Sequence, residues 1–219
     1  MPMTLPTDRR SALRAERRRA ILDAARALAT EHGAHGFTVE QVASHAGVSR
    51  RTVFNHFAGL DQLLVAVCEQ VLDEATAALL DDVDRRTAEL PPGEAGARTA
   101  LDAVGEATRR VDLPTAIATI HVALGSPQRG DERAQGISRT AFEHVGGRLR
   151  QQLLRRAPDL DPVDLDLSLA LLFSGITTVA GLWVERRPGL APPVPPTART
   201  EWDALLDRVL HRLRVGHAG

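Results

Sequence analysis

Apolar and polar positions along this chain alternate with a helical period almost throughout. Leu13, Ala20, Ile21, Ala24, Ala25 and Leu28 recur at three- and four-residue steps. They predict a helix over about 10–31, with His32-Gly33 ending it because glycine accepts a left-handed C-cap. Thr38 reads as an N-cap with Gln41 as its capping-box partner, opening a short helix Val39–Ala46 that buries Val42 and Ala43. Gly47 then turns the chain, and Ser49 caps a second short helix over 50–57. A long helix follows from 61 to about 90, with Leu63, Leu64, Val67, Val71 and Leu72 on its apolar stripe and Pro91-Pro92-Gly93 closing it.

Further helices are expected over about 95–110, 114–124, 131–156, 162–186 and 200–215. Proline and glycine punctuate them at Pro114, Gly125–Gly130, Ala157-Pro158 and the Pro-rich 188–196. No segment reads as a strand. The fold class is therefore all-α, with about nine helices. Residues 1–9 read as a disordered lead.

Composition changes this picture little. Hydrophobic residues make up 43% of the 219, enough for a core, and aromatics only 3%. All 27 basic residues are arginine. Charge distribution says more than the net −1. Residues 1–60 hold nine arginines against five acids, an excess of four. A basic head on an acidic body suits a chain that meets a polyanion with one end.

The single cysteine, Cys68, excludes an internal disulfide and a cysteine zinc site. His121 and His144 lack metal-ligand spacing, and no nucleophile–base pair or cofactor loop supports an enzyme using either as a base. Neither a catalytic residue, a metal nor a cofactor is expected. Asp159, Asp161, Asp164 and Asp166 cluster at a helix start, where carboxylates favour the dipole. No stretch reads as a membrane span, so a cytoplasmic protein is expected.

Two short helices about a glycine turn form a helix-turn-helix. Val42, Val48 and Val53 fill the wedge between them. The second helix presents Arg50, Arg51, Asn55 and His56 outward, toward a major groove about 12 Å wide. Phe37, Phe54 and Phe57 are expected in the core, and a phosphate role falls to one of Arg17, Arg18 and Arg19. In order and spacing, Phe37–Ala43, Ala46–Ser49, Thr52–Phe57 and Asp61–Leu64, preceded by Ile21–Ala25, resemble the TetR family of bacterial regulators.

The resemblance covers residues 10–65. It implies a DNA-binding domain over 10–58 and a larger domain over 59–219 that dimerises and holds an effector pocket. It also implies phosphate contacts from Thr38 and Thr52, base or phosphate contacts from Arg50 and Arg51, and backbone contacts from Phe54 and His56. Ser49, Asn55 and Arg17, read from the residues themselves, complete the candidate DNA-binding set. Phe54 stands where tyrosine is frequent and Leu60 where lysine is frequent, so the grip on phosphate is expected to lean on arginines of the first helix.

Within the larger domain, His121, Phe142, His144, Phe173, Thr177 and Trp183 are the polar or aromatic residues set in apolar runs. They are the candidate effector contacts. The last two helices are more apolar than one outer face needs. A four-helix bundle with a twin subunit is the reading the resemblance favours, through Leu169, Phe173, Ile176, Trp202, Leu206, Val209 and Leu213. The expected function is a homodimeric repressor on a palindromic operator of double-stranded DNA, released by a small molecule. Its rival is a ligand-independent regulator or activator.

Overall fold

A computed structural model describes residues 6–88, 94–128, 130–156 and 160–216. The stops expected at Pro91-Pro92-Gly93 and Ala157-Pro158 lie outside the described residues, as does Asp159. Nine helices and no strand occur among the described residues. They are α1 (Pro6–His32), α2 (Val39–His45), α3 (Arg50–Phe54), α4 (Leu60–Arg86), α5 (Glu94–Thr108), α6 (Leu113–Ala123), α7 (Glu132–Arg156), α8 (Pro162–Glu185) and α9 (Pro196–Gly216).

The local chemistry explains the boundaries. Gly33 ends α1 at φ +68° and its N–H donates to the Ala29 carbonyl at 2.9 Å. The capping box forms: Gln41 N–H donates to Thr38 Oγ1, and Thr38 N–H donates to Gln41 Oε1. Asp112 caps α6 through the Thr115 N–H, and Asp161 caps α8 through the Val163 and Asp164 N–H groups. Proline sits in the first turn of both helices, where its missing N–H costs nothing. Two expectations shift. The lead is already helical from Pro6, since Thr7 to Arg10 carry no breaker. Pro196, placed in the Pro-rich connection, is instead the first residue of α9.

Helix α4 joins head to body. Its stripe from Leu63 through Leu72 to Val83 is buried. Helix α7 lies along it in the same direction, as the partners show. Asp61 pairs with Arg133, Asp73 with Arg148, the Leu80 carbonyl with Gln152 Nε2, and Asp84 with Arg156. The sequence offset is 72 or 75 residues at every rung. An antiparallel pair would show offsets that fall along the helix. His144 joins this ladder between Glu69 and Asp73, 3.9 and 3.4 Å away, without hydrogen-bond geometry at its Nε2.

Helices α8 and α9 close the other side. Trp183 is fully buried, donates its indole N–H to the Ala198 carbonyl at 3.0 Å and meets Trp202 edge-on at 5.4 Å. Gly175 admits Val209 so closely that a β-carbon there would lie 2.5 Å from its Cγ1. Contrary to the sequence expectation, α8 is long and apolar enough by length and composition to cross a membrane. Its periodicity hid this because Asp164 and Asp166 break the run at its start. Here one side of the helix packs in the bundle, while Asp166 pairs with Arg150.

Candidate nucleic-acid interface

The turn between α2 and α3 has the geometry its residues require. Gly47 adopts φ +64° with open space around the position a β-carbon would take, so the left-handed backbone, not crowding, is what calls for glycine. Ser49 Oγ accepts from the Thr52 N–H at 3.1 Å, and the two hydroxyls lie 2.9 Å apart. Val42, Ala43 and Val53 are buried beneath the turn and Val48 is half-buried. Helix α3 ends at Phe54, three residues earlier than expected, and Asn55 caps it.

That short helix exposes Arg50, Arg51, Phe54 and Asn55, while Thr52 is half-buried against Ser49. Phe54 corrects the core expectation: it is 43% exposed, with the Arg50 guanidinium 5.3 Å from its ring centroid. Phe37 and Phe57 are buried as expected. Arg50 also pairs with Glu40 across the turn, Nε to Oε1 at 2.9 Å. Sequence reading missed that partner, because residues ten apart on two helices meet only through the turn. Thr38 is exposed, its hydroxyl engaged in the α2 cap.

Helix α1 brings further arginines to the end of α3. Arg18 lies over the Phe57 ring at 4.9 Å. His56 is half-buried, and burial lowers its pKa below the usual histidine value, with the positive charges of Arg14, Arg18 and Arg17 lowering it further. Arg18 is the α1 arginine in contact with this end of the head, and the charges of Arg14 and Arg17 are felt at His56. A tight turn, an exposed polar helix and a basic flank form a surface suited to a polyanion.

Comparisons with known proteins agree with this geometry. The family described as bacterial regulatory proteins, tetR family, matches residues 21–67, the span from the buried Ile21 through both short helices into α4. Over that segment the chain is similar to the TetR family. The HTH-type transcriptional regulator RutR of Escherichia coli K12 is 37% identical over 67 residues, which is 31% of this chain and 32% of that protein. The chain therefore matches about a third of that relative's length. A TetR-family transcriptional regulator from Streptomyces coelicolor superposes with a TM-score of 0.51 at 22% identity, covering 90% of this chain and 99% of the other, a likeness of fold.

Outside the TetR-matched segment, a cavity of about 30 Å³ lies between α4, α5, α6, α7 and α8. Phe142 and Phe173 line it, with Leu72, Val145, Leu149 and Ile176 among the other walls. Its two hydroxyls are already used: Thr76 donates to the Leu72 carbonyl and Thr108 to the Val104 carbonyl. His121, His144, Thr177 and Trp183 are not among its walls. His121 is half-buried, its carbonyl accepts from the Ser126 N–H at 2.9 Å, and burial lowers its pKa. Thr177 donates back to the Phe173 carbonyl. Cys68 is buried in α4, its thiol pushed up to about 12 chiefly by burial and further by Glu69, which suits packing and not chemistry.

The residues expected at a subunit interface face inward. Leu169, Ile176, Trp202 and Leu206 are buried within the chain, and Phe173, Val209 and Leu213 are half-buried. The outward apolar face of α8 is a different stripe: Val163, Leu167, Leu171 and Leu182, with Val163 65% exposed and the next two 58%.

Proposed function

We propose that this chain is a transcriptional regulator that grips double-stranded DNA with α3. The carrying observation is the exposed set Arg50, Arg51, Phe54 and Asn55, presented by a capped turn whose other side is buried. Arginine and asparagine are the side chains that best read guanine and adenine edges. The TetR-family match spans these residues and supports the reading.

The regulator acts as a homodimer on a palindromic operator, with two α3 helices about 34 Å apart. The outward α8 stripe of Val163, Leu167 and Leu171 is the surface that a second copy would cover, because a contiguous exposed apolar face is rare on a monomer. The protein works in the cytoplasm as a repressor. A small uncharged effector enters the apolar cavity, whose described walls carry no charged group. The void must widen by about tenfold to hold such a ligand. That widening is the conformational work which α4, as both cavity wall and neck of the head, transmits toward α3.

Replacing Arg50 and Arg51 together by alanine tests the reading. Selection of genomic fragments by the wild-type protein identifies the operator. The double variant should lose selectivity for it by at least a hundredfold while remaining dimeric. Retained selectivity would overturn the assignment to α3. The small size of the cavity favours a second reading, a ligand-independent regulator. A compound screen that releases no operator complex would support it.

A further inference from the structure

Helix α1 is longer than its core needs. Its first fully packed residue is Ile21, while every side chain from Arg9 to Arg19 is exposed. About three turns therefore project beyond the three-helix head with no hydrophobic burial to hold them. Over residues 8–19 the sequence carries six arginines against Asp8 and Glu16.

Their arrangement is not uniform. At about 100° per residue, Arg10, Arg14, Arg17 and Arg18 fall on one side, four, three and one residue apart. That side continues the line of Ile21, Ala25 and Leu28, which face the head's core. Glu16 falls on the opposite side. One contact sets the direction of the stripe: Arg18 rests on the Phe57 ring. Beyond burial, the positive charges of Arg14, Arg18 and Arg17 also lower the His56 pKa, as expected of groups on that side. The stripe thus runs away from Phe57 and His56, the residues that follow α3. Leu13, 45% exposed, sits among the arginines.

We infer that the projecting part of α1 is a second DNA contact, a phosphate-tracking arm that lies along the duplex backbone outside the segment read by α3. This rests on the DNA-binding reading above. From Arg10 to Arg17 the arm spans about 10 Å, the axial reach of about three phosphates on one strand. Guanidinium groups at this spacing neutralise phosphates and release counterions without regard to sequence. Leu13 meets sugar between them. Arg18 stays on Phe57 and braces the arm against the head.

The test uses the full chain and two duplexes: a fragment selected from genomic DNA and a mixed-sequence duplex of equal length. Affinity is measured from 50 to 200 mM salt. Arg10→Gln, Arg14→Gln and Arg17→Gln combined should make the slope of log affinity against log salt shallower by about 2 to 3 on both duplexes, and should shorten the protected footprint. The selectivity ratio should stay within about twofold. The matching lysine variant should keep the wild-type slope, since it keeps the charges. An unchanged slope, a change confined to the selected fragment, or failure of the lysine variant to restore it would each overturn the proposal. Arg50→Ala with Arg51→Ala runs alongside. If that variant keeps its selectivity, the reading of α3 fails, while the salt slope still reports on the arm by itself.

Discussion

Gly33 at the end of α1 lies against Gly125 at the end of α6, so closely that a β-carbon on Gly33 would sit 2.7 Å from the Gly125 Cα. Head and body touch here through backbone alone. Both residues have positive φ, +68° and +83°, so neither neighbour tolerates a side chain for conformational reasons either. Gly47 has nearly the same φ but open space around it. The pair of glycines separates strain from crowding. Gly47→Ala should cost about 1–2 kcal/mol through backbone strain. Gly33→Ala should cost about 1–3 kcal/mol more, because the added methyl must displace α6. Urea unfolding of the two variants measures the difference; equal losses would mean the close approach contributes nothing.

Glu40 holds Arg50 at 2.9 Å in the free protein, and both side chains are more than half exposed. Such a pair adds little to stability. It competes with DNA, both by occupying the guanidinium and by placing a carboxylate beside phosphate. Glu40→Gln should raise operator affinity about 3- to 10-fold with an almost unchanged unfolding midpoint. A weaker complex in a fluorescence anisotropy titration would show that Glu40 orients Arg50 for binding instead.

His56 should make DNA binding pH-dependent. Its pKa in the free protein is lowered by burial and then by Arg14, Arg18 and Arg17. A phosphate beside it favours the charged form and raises that value in the complex, so binding takes up a proton. Operator affinity should therefore increase as pH falls from about 7.5 through the usual histidine value toward the lowered one. Without DNA the sign is opposite. The unfolded chain binds the proton more readily, so His56 contributes most to stability above its unfolded pKa, and that contribution is lost as pH falls through the folded one. His56→Gln should flatten the affinity profile; a profile as steep as wild type would assign the effect elsewhere.

Leu167→Asp with Leu171→Asp should yield folded monomers by light scattering, because both positions are 58% exposed and removal of apolar surface there costs the single chain little. Leu206→Asp, at a position 3% exposed, buries a carboxylate beneath α9 and should unfold the bundle by circular dichroism. A dimeric Leu167/Leu171 variant would place the interface on another face.

Val145 borders the cavity on α7. Val145→Ile adds one methylene to a void of about 30 Å³ and should stabilise the chain by up to about 0.8 kcal/mol in urea unfolding. Destabilisation would show that the void cannot accept the new atom without moving Phe142 or Phe173.

The elements were legible because their signals are local. Thr38 with Gln41, Gly47 and Ser49 act within four residues of themselves, and each forms the contact its spacing implies. Orientation was less legible. Helix α8 is apolar on most sides, so no period separates Leu169 and Ile176, which pack inward, from Leu167 and Leu171, which face out. Phe54 misled because an exposed aromatic next to a buried one looks like core until the helix end is known. The effector candidates were chosen for polarity in apolar runs, and His144 instead joins the ladder between α4 and α7. Such pairing across some seventy residues leaves no trace in the sequence.

The same-direction ladder between α4 and α7 constrains how any signal crosses the molecule. Its rungs share one offset to within three residues from Asp61 near the head to Asp84 in the body. Sliding one helix past the other would break every rung together, whereas tilting the two as a unit breaks none. The pair should therefore behave as a rigid beam pivoting near the cavity. A displacement at Leu79 would then be carried along α4 to Asp61 at its first turn.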